Sequence, residues 1–224
     1  NQSLDGNDQY ALANGNGNLA LTLLQQDALL TLESGSVTGR TEGADVVLTA
    51  DDINFRTGAN QVNGVGNLTL QANQLVWDYL LGGAAENADG QDLDDLGNGI
   101  ANAMNLSSLD LAAIADSFDT VTIGRRDLGN GMTLGDILYG TEAKKHGMDE
   151  KIIQPRDPES YQPEFRNATT LRSDRLNVEG DVRATDETLT IAARLAQINS
   201  QNLHNPNGLP DSGITAGTLN MAID

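Results

Sequence analysis

Apolar and polar residues alternate along several short stretches of this chain, and the spacing of the apolar residues repeats. Between Ala44 and Phe55, apolar residues stand at relative positions 0, 2, 4, 7 and 9, and the same spacing recurs 22 residues later. Strict alternation predicts half-buried strands, and the interruption predicts a two-residue corner between them. The paired positions are Val46 with Leu68, Leu48 with Leu70, Ala50 with Ala72, Ile53 with Leu75 and Phe55 with Trp77.

The spacing returns near the end of the sequence, and looser alternation surrounds Leu19 to Leu23 and Leu30 to Leu32. Periods of about 20 to 30 residues made of short strands are typical of solenoids, and a propeller blade needs about 40. The spacing therefore predicts a parallel β-helix, with matched residues stacked on successive coils about 4.8 Å apart. The later copies are Leu189, Ile191, Ala193, Ala196 and Ile198, and in part Leu219, Met221 and Ile223.

Asn and Gly are frequent between the alternating runs. Both tolerate the left-handed backbone of sharp corners, and Asn stacked on Asn in successive coils can form an amide ladder. The alternative is that the Asn-Gly pairs are hairpin turns of an antiparallel sandwich. The β-helix is preferred because the repeat includes a corner as well as the strands.

Two segments interrupt the pattern. Leu111, Ile114 and Phe118 have helical spacing, with Ser107 or Ser108 as the N-cap, which predicts a short helix near 107–118. Residues 126–175 hold three prolines and much of the Lys and Arg, which predicts a long, irregular, basic insertion or arm. The expected organisation is β-helix coils over 1–125, the insertion over 126–175 and further coils over 176–224.

Composition narrows the class of protein. Aromatic residues make up only 4% of the chain, so its core is expected to be aliphatic and thin, as in stacked layers. The formal charge of −19 makes nucleic acid an unfavourable partner. The chain contains no Cys, which excludes disulfides and thiolate metal sites. No apolar run is long enough for a membrane span, and a chain that starts at Asn1 is expected to be part of something longer.

The stretches GVGNLTLQA, from Gly64 to Ala72, and ADSFDTVTIGR, from Ala115 to Arg125, resemble recurring segments of giant bacterial surface proteins of the filamentous-haemagglutinin type. The resemblance covers residues 44–130 well. It implies a right-handed parallel β-helix, export to the cell exterior, and a role in adhesion or in a surface fibre. The segment 126–175 departs from that family's pattern.

Carboxylates suggest two kinds of site. Alternating acids around a Gly form a calcium candidate, for which a solvated acidic loop is the alternative; they are Asp89, Asp92, Asp94 and Asp95. A β-helical polysaccharide lyase or hydrolase would need aspartates clustered on neighbouring coils. Asp51, Asp52 and Asp78 would cluster if their coils align.

Other chemistry-bearing residues have simpler interpretations. His146 and His204 lack a second ligand at metal spacing and are expected at the surface. Asn67, Asn105 and Asn167 begin glycosylation sequons, which an Asn-rich chain also produces by chance.

The sequence thus predicts a secreted, non-enzymatic protein without cofactors other than the candidate calcium. It is expected to be an adhesin passenger or a self-assembling fibre subunit, whose partners are neighbouring copies or cell-surface glycans. A carbohydrate-active enzyme is the alternative, and a sugar-binding module comes third. End-to-end polymerisation is expected, with the basic arm bridging acidic neighbours or folding back on its own chain. The basic residues at or near the start of the arm are Arg125, Arg126, Lys144, Lys145, Lys151 and Arg156.

Overall fold

The structure, a computed structural model, describes residues 12–14, 18–32, 37–39, 43–82, 103–126, 129–134, 163–178, 181–198 and 213–223. The chain is mostly β, with one short helix in the described part. The strands are β1 (Leu12–Asn14), β2 (Leu19–Thr22), β3 (Leu29–Leu32), β4 (Val37–Gly39), β5 (Val46–Thr49), β6 (Asp52–Phe55), β7 (Val62–Gly64), β8 (Asn67–Gln71), β9 (Asp78–Leu81), β10 (Ala103–Leu106), β11 (Thr120–Gly124), β12 (Gly131–Leu134), β13 (Thr169–Val178), β14 (Asp181–Ile198) and β15 (Gly213–Ile223). The helix α1 spans Ser108–Ala113.

All strand pairs in the described part are parallel. They form a ten-stranded sheet, a three-stranded sheet of β1, β4 and β7, and a two-stranded sheet of β3 and β6. The large sheet curls strongly, like half a barrel. β13 joins two parts of this sheet, because its first half pairs with β11 and its last residues pair with β12. The antiparallel sandwich is therefore wrong for these strands.

One stack of strands carries two in-register columns of inward side chains, apolar except for Thr169, through β2, β5, β8, β11, β13, β14 and β15. The predicted stacking of Val46 with Leu68 and of Leu48 with Leu70 is confirmed by the register of β5 on β8. Inward side chains in the middle of the stack are fully buried, so each level covers the next. The first column is Leu19, Val46, Leu68, Val121, Thr169, Leu189 and Leu219, and the second is Leu21, Leu48, Leu70, Ile123, Leu171, Ile191 and Met221.

A second stack departs from the repeat after the corner. Phe55 lies in register with Leu32, and β9, which follows Trp77, pairs with β10 and β12. The predicted stacking of Phe55 on Trp77 is wrong, because β10 contacts β6 and so separates it from β9. Trp77 is buried, as predicted, but Leu75 is 65% exposed whereas its counterpart Ile53 is fully buried.

A third, shorter side is made of brief parallel contacts. The sheet of β1, β4 and β7 is extended by an isolated bridge from Val62 to Ile114. Another bridge joins Glu164 to Arg183, and the start of β14 pairs with the start of β15. These contacts form a third set of parallel pairings beside the two stacks.

Corners between the sides use left-handed backbone, as the Asn and Gly content predicts. Asn60 has a φ of 62° and Gly124 a φ of 89°. At Gly124 a Cβ atom would collide with the backbone carbonyl of Arg172 on the adjacent strand. Glycine is thus needed there both for its conformation and for the close approach of the next level.

The helix α1 begins where the sequence predicts and ends early. Ser107 is its N-cap, and its hydroxyl accepts a hydrogen bond from the amide of Asp110. The helix ends before Ile114, which instead bridges to Val62. Leu111, Ile114 and Phe118 are all buried. Their helical spacing therefore indicated which residues face the core, but the helix covers only the first of the three.

The sheet extends into the segment 126–175, whose expected irregularity needs correction at both ends. β12 and the first half of β13 lie inside those limits and pair with β9, β11 and β14. In β12, Met132 and Leu134 are buried, and in β13 buried residues alternate with more exposed ones from Thr169 through Leu171 to Ser173, a pattern that favours sheet. Residues 135–162 of the expected insertion lie outside the described residues.

Candidate functional site

The calcium candidate lies outside the described residues, as do both histidines. The residues concerned are Asp89, Asp92, Asp94, Asp95, His146 and His204. Within the described ranges, no group of three or more His, Asp or Glu side chains is arranged to hold a metal ion. The calcium site therefore stays a prediction.

Asp51 is a fully buried carboxylate that joins two turns of the chain. Its Oδ2 atom accepts hydrogen bonds from the amide of Asp27 at 3.0 Å and from Nε2 of Gln74 at 2.9 Å, and its Oδ1 atom accepts one from the amide of Gln74 at 2.8 Å. The backbone carbonyl of Asp51 also accepts from the indole of Trp77 at 2.6 Å. Charge-assisted bonds of this kind are strong, so Asp51 ties corners on successive levels together.

Asp52 and Asp78 also accept hydrogen bonds from backbone amides on neighbouring levels. Oδ1 of Asp52 accepts from the amide of Asn105 at 3.1 Å, and Oδ1 of Asp78 accepts from the amide of Gly131 at 2.7 Å. The two residues begin β6 and β9, which are separated by β10. The structure thus places Asp51 and Asp52 at one corner and Asp78 at another. Each of the three carboxylates accepts hydrogen bonds from backbone amides.

The sequons at Asn67, Asn105 and Asn167 differ in accessibility. Asn67 is exposed, whereas Asn105 and Asn167 are buried. The side-chain oxygen of Asn167 accepts from the amide of Phe118 at 3.2 Å, and its nitrogen donates to the carbonyl of Ala115 at 3.0 Å. A glycan could therefore be attached only at Asn67 without unfolding the chain around the acceptor.

A ladder of polar side chains runs along the starts of β2, β5, β8 and β11. Oδ1 of Asn18 accepts from the amide of Asp45 at 3.0 Å, and Oδ1 of Asp45 accepts from Nδ2 of Asn67 at 2.8 Å. Oδ1 of Asn67 in turn accepts from the hydroxyl of Thr120 at 2.5 Å. The expected ladder of Asn on Asn is thus a mixed ladder of Asn, Asp and Thr residues, each of which hydrogen-bonds to the next level.

Asp174 marks a polar corner that the sequence did not single out. Its carboxylate is nearly buried and accepts from Nε of Arg194 at 2.8 Å and from the amide of Gly129 at 3.1 Å. Its own amide donates to Oδ1 of Asn130 at 2.7 Å. The hydrogen bond from Arg194 lowers the pKa of Asp174 below its ordinary value, against the opposite effect of burial. In the sequence, Asp174 lies between Arg172 and Arg175, and this pattern could have indicated an ion pair. It was missed because it lies inside the segment expected to be irregular.

Arginines at the two ends of the expected arm bind their own chain. Arg125 donates to the carbonyl of Ala72 at 3.2 Å, and Arg166 donates to the carbonyl of Ala112 at 2.7 Å. Arg175 donates to the carbonyl of Gly129 at 3.1 Å. These contacts favour folding back over bridging for the described arginines. Lys144, Lys145, Lys151 and Arg156 lie outside the described residues.

Large apolar side chains are exposed at both edges of the first stack in the described part. At one edge, Leu219, Met221 and Ile223 of β15 are 41%, 48% and 43% exposed. At the other edge, the turn from β2 to β3 borders an open cavity of about 780 Å³, lined by apolar residues such as Leu21 and Leu23 and by the polar residues Gln25 and Asp27. Leu24 beside it is largely exposed. Exposed apolar patches of this kind mark interaction surfaces.

No family model, curated protein or solved structure matches the chain. Among the described residues, no helix has the length and apolar character that would let it cross a membrane.

Proposed function

We propose that this chain is the structural body of a secreted or cell-surface bacterial protein, either an adhesin passenger or a subunit of a self-assembling fibre. The observation that carries the proposal is the pair of apolar columns through the first stack. Through six successive parallel strand pairings, the residues of each column stay in register. A stack of this kind is extended by adding levels and supplies length rather than a central pocket.

The proposed architecture is a right-handed parallel β-helix. Its support is the order of the strands along the chain: a strand of the third, shorter side is followed by a strand of the first stack and then by a strand of the second stack. β4, β5 and β6 follow that order, and β7, β8 and β9 repeat it. The right-handed sense rests on the resemblance to filamentous-haemagglutinin-type proteins.

A structural role accounts for the aspartates that catalysis would require. Asp51 is fully buried and all its described bonds are to neighbouring corners, so it does not present a carboxylate to a polysaccharide. Asp78 holds the amide of Gly131. These contacts favour the structural proposal over a lyase or hydrolase. Cell-surface glycans remain proposed binding partners, without a site among the described residues.

To test the location, intact cells of the source bacterium are labelled with antibody raised against the purified chain. Labelling of unpermeabilised cells, with a cytoplasmic protein unlabelled in the same sample, is the expected result. Labelling only after permeabilisation would contradict the proposal.

A second assay separates the structural protein from the enzyme. Incubation with acidic polysaccharides, with and without calcium, is expected to release no reducing ends and no unsaturated products. Turnover that Asp78→Ala abolishes while the variant stays folded by circular dichroism would favour the enzyme instead.

A further inference from the structure

Opposite charges collect along two flanks of the first stack. Because the paired segments of its strands are parallel and in register, they all begin along one flank and end along the other. Carboxylates lie at or just before the starts of these segments, and arginines lie at or just after their ends. The acidic flank consists of Asp45, Asp116, Asp119, Asp186 and Glu187, and the basic flank consists of Arg125, Arg126, Arg172, Arg175 and Arg194.

The charged groups of both flanks face solvent. Every arginine of the basic flank except the half-buried Arg125 is exposed, and so are three carboxylates of the acidic flank. Arg175 and Arg194 also bind their own chain, through the carbonyl of Gly129 and the carboxylate of Asp174. A guanidinium carries five N–H donors, so these bonds leave donors and charge for a partner.

Other described charges on these levels leave the two flanks opposite in sign. Asp174 lies on the basic flank but is nearly buried against Arg194, and Asp78 near it is one exposed carboxylate against four exposed arginines. Arg166 precedes the acidic flank on the level of β13 and donates to carbonyls at the end of α1. Asp127 lies outside the described residues. On the levels of β2 and β5 the strands are followed by carboxylates, so the basic flank begins at β11. These carboxylates are Asp27, Asp51 and Asp52.

Exposed apolar side chains lie on both flanks at the level of β8. Val65 precedes the strand and is 42% exposed, whereas Leu75 and Val76 follow it and are 65% and 58% exposed. Val76 has a φ of 57°, a left-handed conformation that is strained for a β-branched residue. Strain of this kind is retained at sites that have a function, and here it accompanies two solvent-exposed apolar side chains.

The two flanks do not neutralise each other within one copy. They are separated by the five residues of β11, roughly 17 Å, which exceeds the Debye length of about 8 Å at physiological ionic strength. The same screening weakens the long-range repulsion between two copies that each carry a formal charge of −19. A second copy beside the first, with its strands in the same direction, brings its acidic flank to the basic flank at contact distance.

We infer that copies of this chain pack side by side, with the basic flank of one against the acidic flank of the next and their levels in line. Pairs of carboxylate and guanidinium set the alignment of the levels, and Val65 of one copy meets Leu75 and Val76 of its neighbour. The contact is heterologous, so each copy keeps a free flank of each kind and further copies add in a row. The inference rests on the proposed stacked body and supplies the surface through which it self-associates.

Charge reversal tests the contact through a mixture of two variants. D116R/D119R/E187R makes both flanks basic, and R126E/R172E/R175E makes the basic flank acidic. Each variant alone is expected to self-associate at least about tenfold more weakly than the natural chain in sedimentation at physiological salt, because its contacts join like charges. An equimolar mixture is expected to restore assembly, because every contact between the two variants joins opposite charges. A mixture that stays monomeric while the natural chain associates would overturn the inference, as would undiminished association of either variant alone.

Leu75→Ser tests the apolar part of the contact and keeps every charge. It is expected to raise the dissociation constant of self-association at least about fivefold, because a leucine is no longer buried between the copies. The control is Leu109→Ser, since Leu109 is 79% exposed on α1, which contacts the second stack. It should leave the constant unchanged. Equal effects of the two substitutions would overturn the proposed alignment.

The same samples separate failure of the contact from failure of the proposed body. A natural chain that stays monomeric at high concentration, yet melts cooperatively with a β-rich circular dichroism spectrum, would overturn the side-by-side contact and leave the stacked body standing. Absence of cooperative melting would overturn the stacked body itself.

Discussion

Single side chains in the two columns are buried between neighbouring levels. Leu70 is fully buried, with Leu48 in register on one side and Ile123 on the other. Leu75 occupies another position of the same sequence repeat but is 65% exposed. The two leucines therefore allow one chemical change to be compared inside and outside the stack.

Leu70→Ala is expected to lower the free energy of unfolding by about 2–5 kcal/mol, because truncation leaves a cavity between two levels. Leu75→Ala should change it by less than about 0.5 kcal/mol. Urea denaturation followed by circular dichroism measures both. Equal effects of the two substitutions would show that the columns do not hold the levels together.

The sequence predicted which side chains stack on each other where the alternation of apolar and polar residues alone decides which way a side chain faces. Val46 and Leu68 align because a period of two assigns each side chain to a face, and a slip of one residue would reverse every face. Leu75 was mispredicted because corner residues do not obey that period. The roles of Asp51 and Asp174 depend on amides supplied by distant levels, which no local pattern reveals.

Asp174 makes stability depend on pH in a defined direction. Arg194 holds the pKa of Asp174 below its ordinary value, so the pair stabilises the fold above the unfolded pKa of about 4. The contribution is lost as pH falls through the lowered folded pKa. Asp174→Asn is therefore expected to be less stable than the natural chain at pH 6, and the difference should shrink on acidification.

Thermal melts between pH 6 and pH 2 measure this convergence. Asp116→Asn is the control, because Asp116 is exposed and should be nearly silent in stability at pH 6. A deficit of Asp174→Asn that stays constant over the whole range would show that the carboxylate charge is not what stabilises the corner.

At the scale of elements, α1 is tied to the sheet through its capping residues. Asp110 at the third helical position is buried, and its Oδ2 atom accepts from the amide of Ser107 at 2.8 Å. Its Oδ1 atom accepts from the amide of Phe55 in β6 at 2.6 Å. One carboxylate thus completes a capping box and joins the helix to a strand 55 residues away.

Ser107→Ala removes the cap alone and is expected to cost about 0.5–2 kcal/mol of unfolding free energy. Asp110→Ala keeps the bond from the amide of residue 110 to the Ser107 hydroxyl, but it leaves the amides of Ser107 and Phe55 without their acceptor, so it should cost more by about 1–3 kcal/mol. Chemical denaturation compares the two variants. Equal costs would mean that the bond to Phe55 contributes nothing to stability.

The order of elements in the second stack could not be read from the sequence. The repeat predicts that β9 follows β6, but β10 returns after residues 83–102 and lies against both. Its AMNL sequence is short and apolar, and such a strand can pair at either edge of a sheet. The repeat therefore predicted strands near β6 and β9, whereas β10 was not predicted and its position depends on tertiary contacts with α1 and β6.

For the whole molecule, a stack in which each level contacts only its neighbours should unfold from its ends. Levels containing β8, β11 and β13 have a neighbour on both sides, whereas β2 and β15 each pair with one strand in the described part. Local opening is cheapest where the fewest contacts must be broken. Amide protection is therefore expected to be highest in β8, β11 and β13 and to fall toward β2 and β15.

Hydrogen exchange with mass spectrometry on a dilute, monomeric sample measures this gradient. Protection that is uniform in the dilute sample would contradict opening from the ends.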